Sequence, residues 1–191
     1  MIKFFRHLKI FLFIICIFFS QIARASSSSS SYLIANNAFL DYDYFTASRH
    51  FNKYISENNF EELKKRLISY VIIQDIENAN NVASEILAIN QEGTYAWVVR
   101  LVYAKLTNSD KIFKEFEAVE LDEISSNLIN HIFYNNDNLV NSSKIISEQI
   151  FDIVSNFDVP NKNFSQDKID FILIYLSLCT LLNPNFNEAF F

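Results

Sequence analysis

Residues 75–99, DIENANNVASEILAINQEGTYAWVV, contain one helix, a break and the start of a second helix. Apolar side chains in the first half recur at i, i+4, i+7 and i+8, one stripe of an α-helix, at Ala79, Ala83, Ile86 and Leu87. The break at residues 90–93 holds the only glycine of the chain, and Trp97 lies early in the next apolar run. The stretch therefore predicts a helix–turn–helix unit that leads into another such unit.

The rest of the chain continues this pattern. One Gly and two Pro among 191 residues provide too few turn formers for an all-β protein, and half of the residues are apolar. Apolar helical stripes alternate with short breaks that carry Asn, Asp or Ser, the residues that cap helix N-termini. Short loops make neighbouring helices antiparallel. We therefore expect an all-α protein of about 9–10 helices.

Part of the pattern repeats. Ala47 and Phe51 lie 32 residues before Ala79 and Ala83, and the polar break at residues 58–59 lies the same distance before the break at residues 90–91. A two-helix period in the low thirties is typical of helical solenoids. A single pair cannot bury its own apolar face, so the pairs stack on one another.

The repeated residues resemble the tetratricopeptide repeat family, in which the second helix carries Ala-x3-Phe and a proline closes the repeat. The matching features are Ala47-x3-Phe51, Tyr70, Trp97 and the tail CTLLNPNFNEAFF with Pro184. The chain departs from the family at residues 100–101, where Arg-Leu replaces the usual Leu-Gly pair. The resemblance covers residues 32–120 and 143–191. It implies antiparallel helix pairs stacked into a right-handed solenoid, similar to degenerate repeat proteins of the bacterial envelope.

In that family the first helices of the pairs line a concave groove that binds a peptide. The resemblance implies eight candidate groove residues here, Tyr32, Asn36, Lys64, Lys65, Ile68, Tyr95, Val102 and Lys105. The lysines would suit an acidic peptide or a C-terminal carboxylate. The alternative for Lys64 and Lys65 is a solvated helix face with i,i+4 ion pairs.

We therefore expect a non-catalytic scaffold that binds a protein or peptide partner. Two alternatives remain. The chain could be the accessory repeat domain of a larger envelope enzyme or assembly whose catalytic part lies elsewhere, or it could be a structural spacer.

The sequence contains no pattern typical of a catalytic, cofactor or metal site. After residue 25 its two histidines, His50 and His131, are 81 residues apart and belong to no HExxH motif. A chain whose only glycine is Gly93 cannot form a Gly-rich phosphate loop or a G-x-S-x-G elbow. The run at residues 136–138, Asn-Asp-Asn, lacks the glycine and terminal glutamate of a calcium loop. We expect no enzyme activity, cofactor or metal.

Residues 1–25 have the pattern of a cleavable secretory signal peptide. Basic residues precede the apolar run at residues 10–19, IFLFIICIFF, and Ala-Arg-Ala at residues 23–25 is an A-x-A cleavage site. Spanning a bilayer takes roughly 20 apolar residues, so the run is short for an anchor, although an uncleaved anchor is the alternative. Residues 26–31 predict a Ser-rich flexible lead, and residues 32–191 the repeat domain. The protein would be exported, and periplasmic if bacterial.

Cleavage would also change the net charge and the cysteine content. The chain would keep 12 basic and 22 acidic residues, a net charge of −10, which disfavours nucleic acid and anionic lipid as partners. We expect no stable membrane insertion after cleavage. Cys179 would be the single cysteine, without a disulfide partner, and its helical spacing from Tyr175 and Leu182 predicts a core position.

The last predicted helix contains the most apolar run after residue 25. Residues 170–182, DFILIYLSLCTLL, are apolar around nearly the whole helical circumference, the pattern of a helix buried on all sides. A solenoid needs a polar outer face on its last repeat, and about two turns remain after Pro184. The sequence therefore predicts a repeat domain that is incomplete at its C-terminal end and self-associates through this helix.

Export makes a direct prediction. When the protein is expressed with its own N-terminus in a secreting host, the intact mass of the released product should correspond to a chain that starts at Ser26, because cleavage follows Ala25. A membrane-bound product of full-length mass would show that the segment is an anchor.

Overall fold

The computed structural model describes residues 29–53, 59–90, 93–134, 140–156 and 166–185, and every regular element in these ranges is an α-helix. The helices are α1 (29–40), α2 (Tyr44–Phe51), α3 (Phe60–Ile72), α4 (Ile76–Ile89), α5 (Thr94–Thr107), α6 (Asp110–Glu117), α7 (Glu123–Phe133), α8 (Ser143–Ser155) and α9 (Gln166–Leu182). One isolated antiparallel bridge joins Tyr134 and Val140. The prediction of an all-α protein is confirmed.

Several predicted features lie outside the described residues. They include the signal segment, the residues at 54–55, the breaks at 58, 91–92 and 135–138, the loop around Pro160 and the tail from residue 186. Within the described ranges, no helix is both long enough and apolar enough to cross a bilayer. Residues 29–31 are helical, so the second half of the predicted Ser-rich lead belongs to α1 instead of a flexible segment.

Polar side chains define the helix starts as the sequence predicts. Asp43 accepts a hydrogen bond from the Thr46 amide at 3.0 Å, and Asp75 accepts one from the Asn78 amide at 3.3 Å. Asn59, Asp122 and Ser142 cap α3, α7 and α8 in the same way. Each cap satisfies amide groups that have no partner inside the helix, so these Asn, Asp and Ser residues mark helix starts in the sequence and in the structure.

The same turn follows α1, α3 and α5. Tyr42, Gln74 and Asn108 have φ values of 60°, 62° and 54°, and the next residue donates its amide to a carbonyl five positions earlier. This arrangement is the Schellman motif, whose left-handed position usually carries glycine. After α1 and α3 the next residue is Asp43 or Asp75, which also caps the following helix. One short turn therefore ends one helix and begins the next.

The chain divides into two compact units, Met1–Glu57 and Asn58–Phe191. In the first unit, α1 and α2 enclose a small core of Ala35, Ala38, Ala47 and Phe51, with Phe39 packed against it. Small residues at three of these four core positions let the two helices approach closely. Phe45, on the same helix as Ala47, is exposed, so only one side of α2 is used for this core.

The second unit is built around α9. Along the chain, α3 packs on α4, α4 on α5 and α5 on α6, while α9 contacts α3, α5 and α8. Three of its side chains, Tyr175, Leu178 and Cys179, are wholly buried. The contact between α9 and α3 joins elements from opposite ends of this unit, whereas a solenoid predicts contacts between neighbouring repeats.

Helices α8 and α9 are joined by paired polar contacts as well as apolar packing. The Ser147 hydroxyl donates to the Cys179 carbonyl at 3.1 Å, and the Cys179 thiol donates to the Ser147 carbonyl at 3.4 Å. Burial raises the pKa of the Cys179 thiol to about 12, although the contact with Ser147 opposes this shift. The thiol is therefore protonated at neutral pH, and its predicted core position is confirmed.

Part of the cover that the last helix needs comes from within the second unit. Helices α3, α5 and α8 contact α9 and bury side chains such as Tyr175 and Leu178. Ile172, Leu173 and Leu176 on the same helix are only half-buried, and self-association through this helix stays a prediction.

The turn after α3 gives a stability prediction. Gln74 is exposed and has a left-handed backbone, which disfavours residues with a Cβ atom. Gln74→Gly should raise the free energy of unfolding by about 1 kcal/mol, measured by urea unfolding with far-UV circular dichroism. Gln74→Ala keeps the Cβ atom and should give little gain. Equal effects of the two substitutions would contradict the backbone explanation.

Candidate functional site

The structure brings two of the predicted groove residues together. Lys64 on α3 and Tyr95 on α5 line a pocket of about 340 Å³ that is completed by side chains of α9. Its full lining is Phe60, Glu61, Lys64, Tyr95, Asp170, Phe171 and Ile174. We call this the α3–α5–α9 pocket. The pocket lies where α9 meets the faces of α3 and α5 that the resemblance assigned to an open groove.

Two other predicted groove residues are in the interior. Ile68 and Val102 are both 0% exposed, so they cannot line a surface that receives a partner. Their assignment to the groove is wrong, because α9 packs against α3 and α5 on this side. Lys65 and Lys105 are half-buried in the same unit. Tyr32 and Asn36 are half-buried on α1, in the first unit.

Lys64 forms an ion pair that the sequence did not predict. Its Nζ lies 3.0 Å from Asp170 Oδ2, and the two side chains are 11% and 8% exposed. Gln166 Nε2 donates to the other carboxylate oxygen of Asp170 at 2.8 Å. Asp170 begins an otherwise apolar run. A carboxylate that is buried with such a run needs a partner of opposite charge, and this is the sequence signal for the ion pair.

A larger and more polar cavity lies among α6, α7 and α8. It has a volume of about 970 Å³, and seven of its ten lining residues have polar side chains. We call it the α6–α8 cleft. Its lining is Phe116, Glu117, Val119, Leu121, Ser126, Asn130, His131, Tyr134, Asn141 and Gln149. None of these residues is predicted from the sequence to belong to a binding site.

Asn141 fixes one wall of the α6–α8 cleft. Its side chain is almost wholly buried, and Nδ2 lies 3.1 Å from the Ile132 carbonyl, 3.3 Å from the Tyr134 carbonyl and 3.1 Å from Gln149 Oε1. Its backbone amide donates to the Phe133 carbonyl at 2.6 Å. These bonds satisfy carbonyls at the end of α7 and orient the Gln149 amide on α8. The sequence offered no signal for this role, because an asparagine before Ser142 looks like an ordinary residue at a helix start.

Tyr134 contributes a shielded hydroxyl to the part of the chain around the α6–α8 cleft. Its hydroxyl is shielded from solvent and, within the described residues, has no hydrogen-bond partner. Burial raises the pKa of this hydroxyl, and the negative charge of Glu117 raises it further. Tyr134 therefore remains a protonated donor at neutral pH.

The floor of the α6–α8 cleft rests on the packing between α5 and α6. Phe116 packs edge-on against Trp97, with ring centroids 5.4 Å apart. The Arg100 guanidinium lies over the Trp97 ring at 5.3 Å and pairs with Glu115 at 2.7 Å. The aromatic contact and the ion pair both cross from α5 to α6, so they hold Phe116 in place.

The start of α7 is held by Asp122. Its carboxylate accepts hydrogen bonds from the Ile124 and Ser125 amides, both at 3.0 Å. Bonds with the Ser125 side chain and backbone hold the pKa of Asp122 below its usual value, while desolvation opposes them. The carboxylate is ionised at neutral pH, and its negative charge interacts favourably with the positive end of the helix dipole. The cap therefore positions Ser126 one turn further along and Asn130 two turns further along.

The α6–α8 cleft has a mixed polar and apolar lining. It presents amides, hydroxyls, one imidazole and one carboxylate over an apolar floor, and no nucleophile in it is hydrogen-bonded to a base in the described residues. In the described part of the chain, no three His, Cys, Asp or Glu side chains cluster closely enough to hold a metal ion. Comparison with protein-family models, curated proteins and solved structures gives no match.

The burial of the Lys64–Asp170 ion pair predicts a large effect on the free energy of unfolding when the pair is broken. Asp170→Asn keeps the shape of the side chain but leaves the Lys64 ammonium buried without its counter-charge, which should lower the free energy of unfolding by about 3 kcal/mol. Glu85→Gln is the matched control, because it removes an exposed ion pair with Arg66 and should cost less than about 1 kcal/mol. Urea unfolding measures both. Equal losses of stability in the two variants would show that burial does not increase the contribution of the Lys64–Asp170 pair to the free energy of unfolding.

Proposed function

We propose that this chain is an exported, non-catalytic interaction module that binds a segment of a protein or peptide partner in the α6–α8 cleft. The observation that carries the proposal is the α6–α8 cleft itself, a cavity of about 970 Å³ in which seven of the ten lining residues have polar side chains. That volume is near the upper end of the roughly 300–1,000 Å³ typical of ligand pockets. The pattern of residues 1–25 supports export.

The chemistry of the lining supports a polypeptide partner. A peptide backbone presents N–H donors and C=O acceptors, and the amide side chains of Asn130 and Gln149 carry both kinds of group. Phe116, Val119 and Leu121 form an apolar surface on which partner side chains can pack. Because Asn141 fixes Gln149 through a hydrogen bond, part of this wall is preorganised, which lowers the entropy cost of binding.

The charge of the α6–α8 cleft favours a neutral or basic segment. Among its described lining residues, Glu117 is the one carboxylate, and there is no Lys or Arg. An acidic peptide would meet a carboxylate without a compensating cation. Of the three lysines that the resemblance implied for an acidic partner, Lys64 is paired with Asp170.

A degenerate, tetratricopeptide-like repeat arrangement remains part of the proposal. The sequential packing of α3, α4, α5 and α6 and the common turn after α1, α3 and α5 support it. In this proposal α9 fills the face that would be the groove of an open solenoid. The binding surface is then the α6–α8 cleft.

The proposal is tested by blocking the α6–α8 cleft. Asn130→Trp places a large ring on a lining residue, and Asn127→Trp adds the same ring at an exposed asparagine of α7 outside the cleft. A partner captured in stoichiometric amount from a native envelope extract should bind the wild-type protein and Asn127→Trp equally. Its affinity for Asn130→Trp should fall by about tenfold or more. Cross-linking with mass spectrometry should place the contact on α7 or α8.

Two results would contradict the proposal. Unchanged partner affinity for Asn130→Trp, with its helical content intact, would show that the α6–α8 cleft is not the binding surface. Turnover of the captured partner by the purified protein would show that the module is catalytic.

A further inference from the structure

The α3–α5–α9 pocket combines features that the proposed function does not use. It has a volume of about 340 Å³, within the usual range for small-molecule sites. Its lining includes three aromatic residues, Phe60, Tyr95 and Phe171, and one aliphatic residue, Ile174. Into this apolar lining the chain places one ammonium and one carboxylate, each about nine-tenths buried. Apolar walls around a few fixed polar groups are the usual composition of a small-molecule site.

The charged pair is held in a defined orientation. Lys64 Nζ and Asp170 Oδ2 are 3.0 Å apart, and Gln166 holds the second oxygen of the carboxylate. A lysine ammonium has three donor hydrogens and a carboxylate has about four acceptor positions, so the contact between them does not use the full hydrogen-bonding capacity of either group. The pocket therefore offers one positive and one negative binding position side by side.

The apolar wall is also rigid. The Phe171 ring stacks on the Tyr175 ring with centroids 3.9 Å apart and an interplanar angle of 27°, and Tyr175 is wholly buried. Ile174 is 1% exposed. A wall fixed from behind can hold an apolar group without first having to become ordered.

We propose that the α3–α5–α9 pocket binds a free amino acid with a large apolar side chain. The carboxylate of the ligand pairs with the Lys64 ammonium, and its ammonium pairs with the Asp170 carboxylate. Glu61, at the exposed start of α3, is a second carboxylate in the lining. The side chain of the ligand packs between the aromatic walls. A ligand with one charge would leave one member of the pair without a new partner, and a polar side chain would leave the walls unfilled.

The proposal is independent of the α6–α8 cleft and of the partner proposed for it. It concerns different helices of the same unit, so a failure of either proposal leaves the other unchanged. The occupant that competes with an amino acid is an uncharged apolar molecule, which would use the aromatic walls but gain nothing from the two charges.

Calorimetric titration and thermal unfolding of the full chain test the head group. L-phenylalanine should bind and raise the Tm by about 3 °C at saturation. 2-Phenylethylamine lacks the carboxylate, 3-phenylpropionate lacks the ammonium, and glycine lacks the apolar side chain. Each of these three compounds should bind about tenfold more weakly. Equal affinities for L-phenylalanine, 2-phenylethylamine and 3-phenylpropionate would overturn the assignment of a zwitterionic ligand. The absence of both binding heat and a Tm shift at about 10 mM L-phenylalanine would overturn the site itself.

A pair of phenylalanine variants tests the location. Phe60→Ala removes part of the pocket wall, and Phe151→Ala removes a similarly half-buried ring on α8 that does not line the pocket. The affinity for L-phenylalanine should fall about tenfold in Phe60→Ala and stay unchanged in Phe151→Ala. Methyl NMR signals of Ile174 report the same contact directly and do not require a variant. Binding that leaves both the Ile174 signals and the Phe60→Ala affinity unchanged would place the ligand elsewhere.

Discussion

The burial of α9 is the constraint on which the second unit depends. This helix has apolar side chains around its circumference, so it is stable only where other helices cover it on several sides. Helices α3, α5 and α8 provide that cover, and the paired Ser147–Cys179 contacts join α8 to α9. Burying the helix also buries Asp170, and a carboxylate in an apolar environment requires a charge partner, which Lys64 supplies.

The position of α9 also decides which surfaces are available for binding. Helix α9 packs against α3 and α5, and a small pocket that contains an ion pair lies among the three helices. The larger polar cavity lies among α6, α7 and α8, where α7 packs on α8 and on α5. The two cavities differ in chemistry: the first combines aromatic walls with opposite charges, and the second combines amides and hydroxyls with one carboxylate.

Local geometry explains how a chain with one glycine makes sharp helix-to-helix turns. Tyr42, Gln74 and Asn108 adopt the left-handed conformation that usually carries glycine, and the residue after each closes the turn with a backbone hydrogen bond. Where that residue is Asp43 or Asp75, its side chain begins the next helix as well. These turns depend on a few neighbouring residues, so the same signals are readable in the sequence and in the structure.

By itself the sequence determined the all-α class and the Asn, Asp and Ser breaks at which helices begin, because helical periodicity and N-caps such as Asp75 and Asp122 act within a few residues. It also determined that the run containing Tyr175 and Cys179 must be buried. Only the tertiary structure decided which helices bury it, since an apolar helix surface does not specify which neighbour packs against it. For the same reason the Lys64–Asp170 pair and the α6–α8 cleft were beyond sequence reasoning: each joins residues from separate helices, and their meeting depends on how those helices pack.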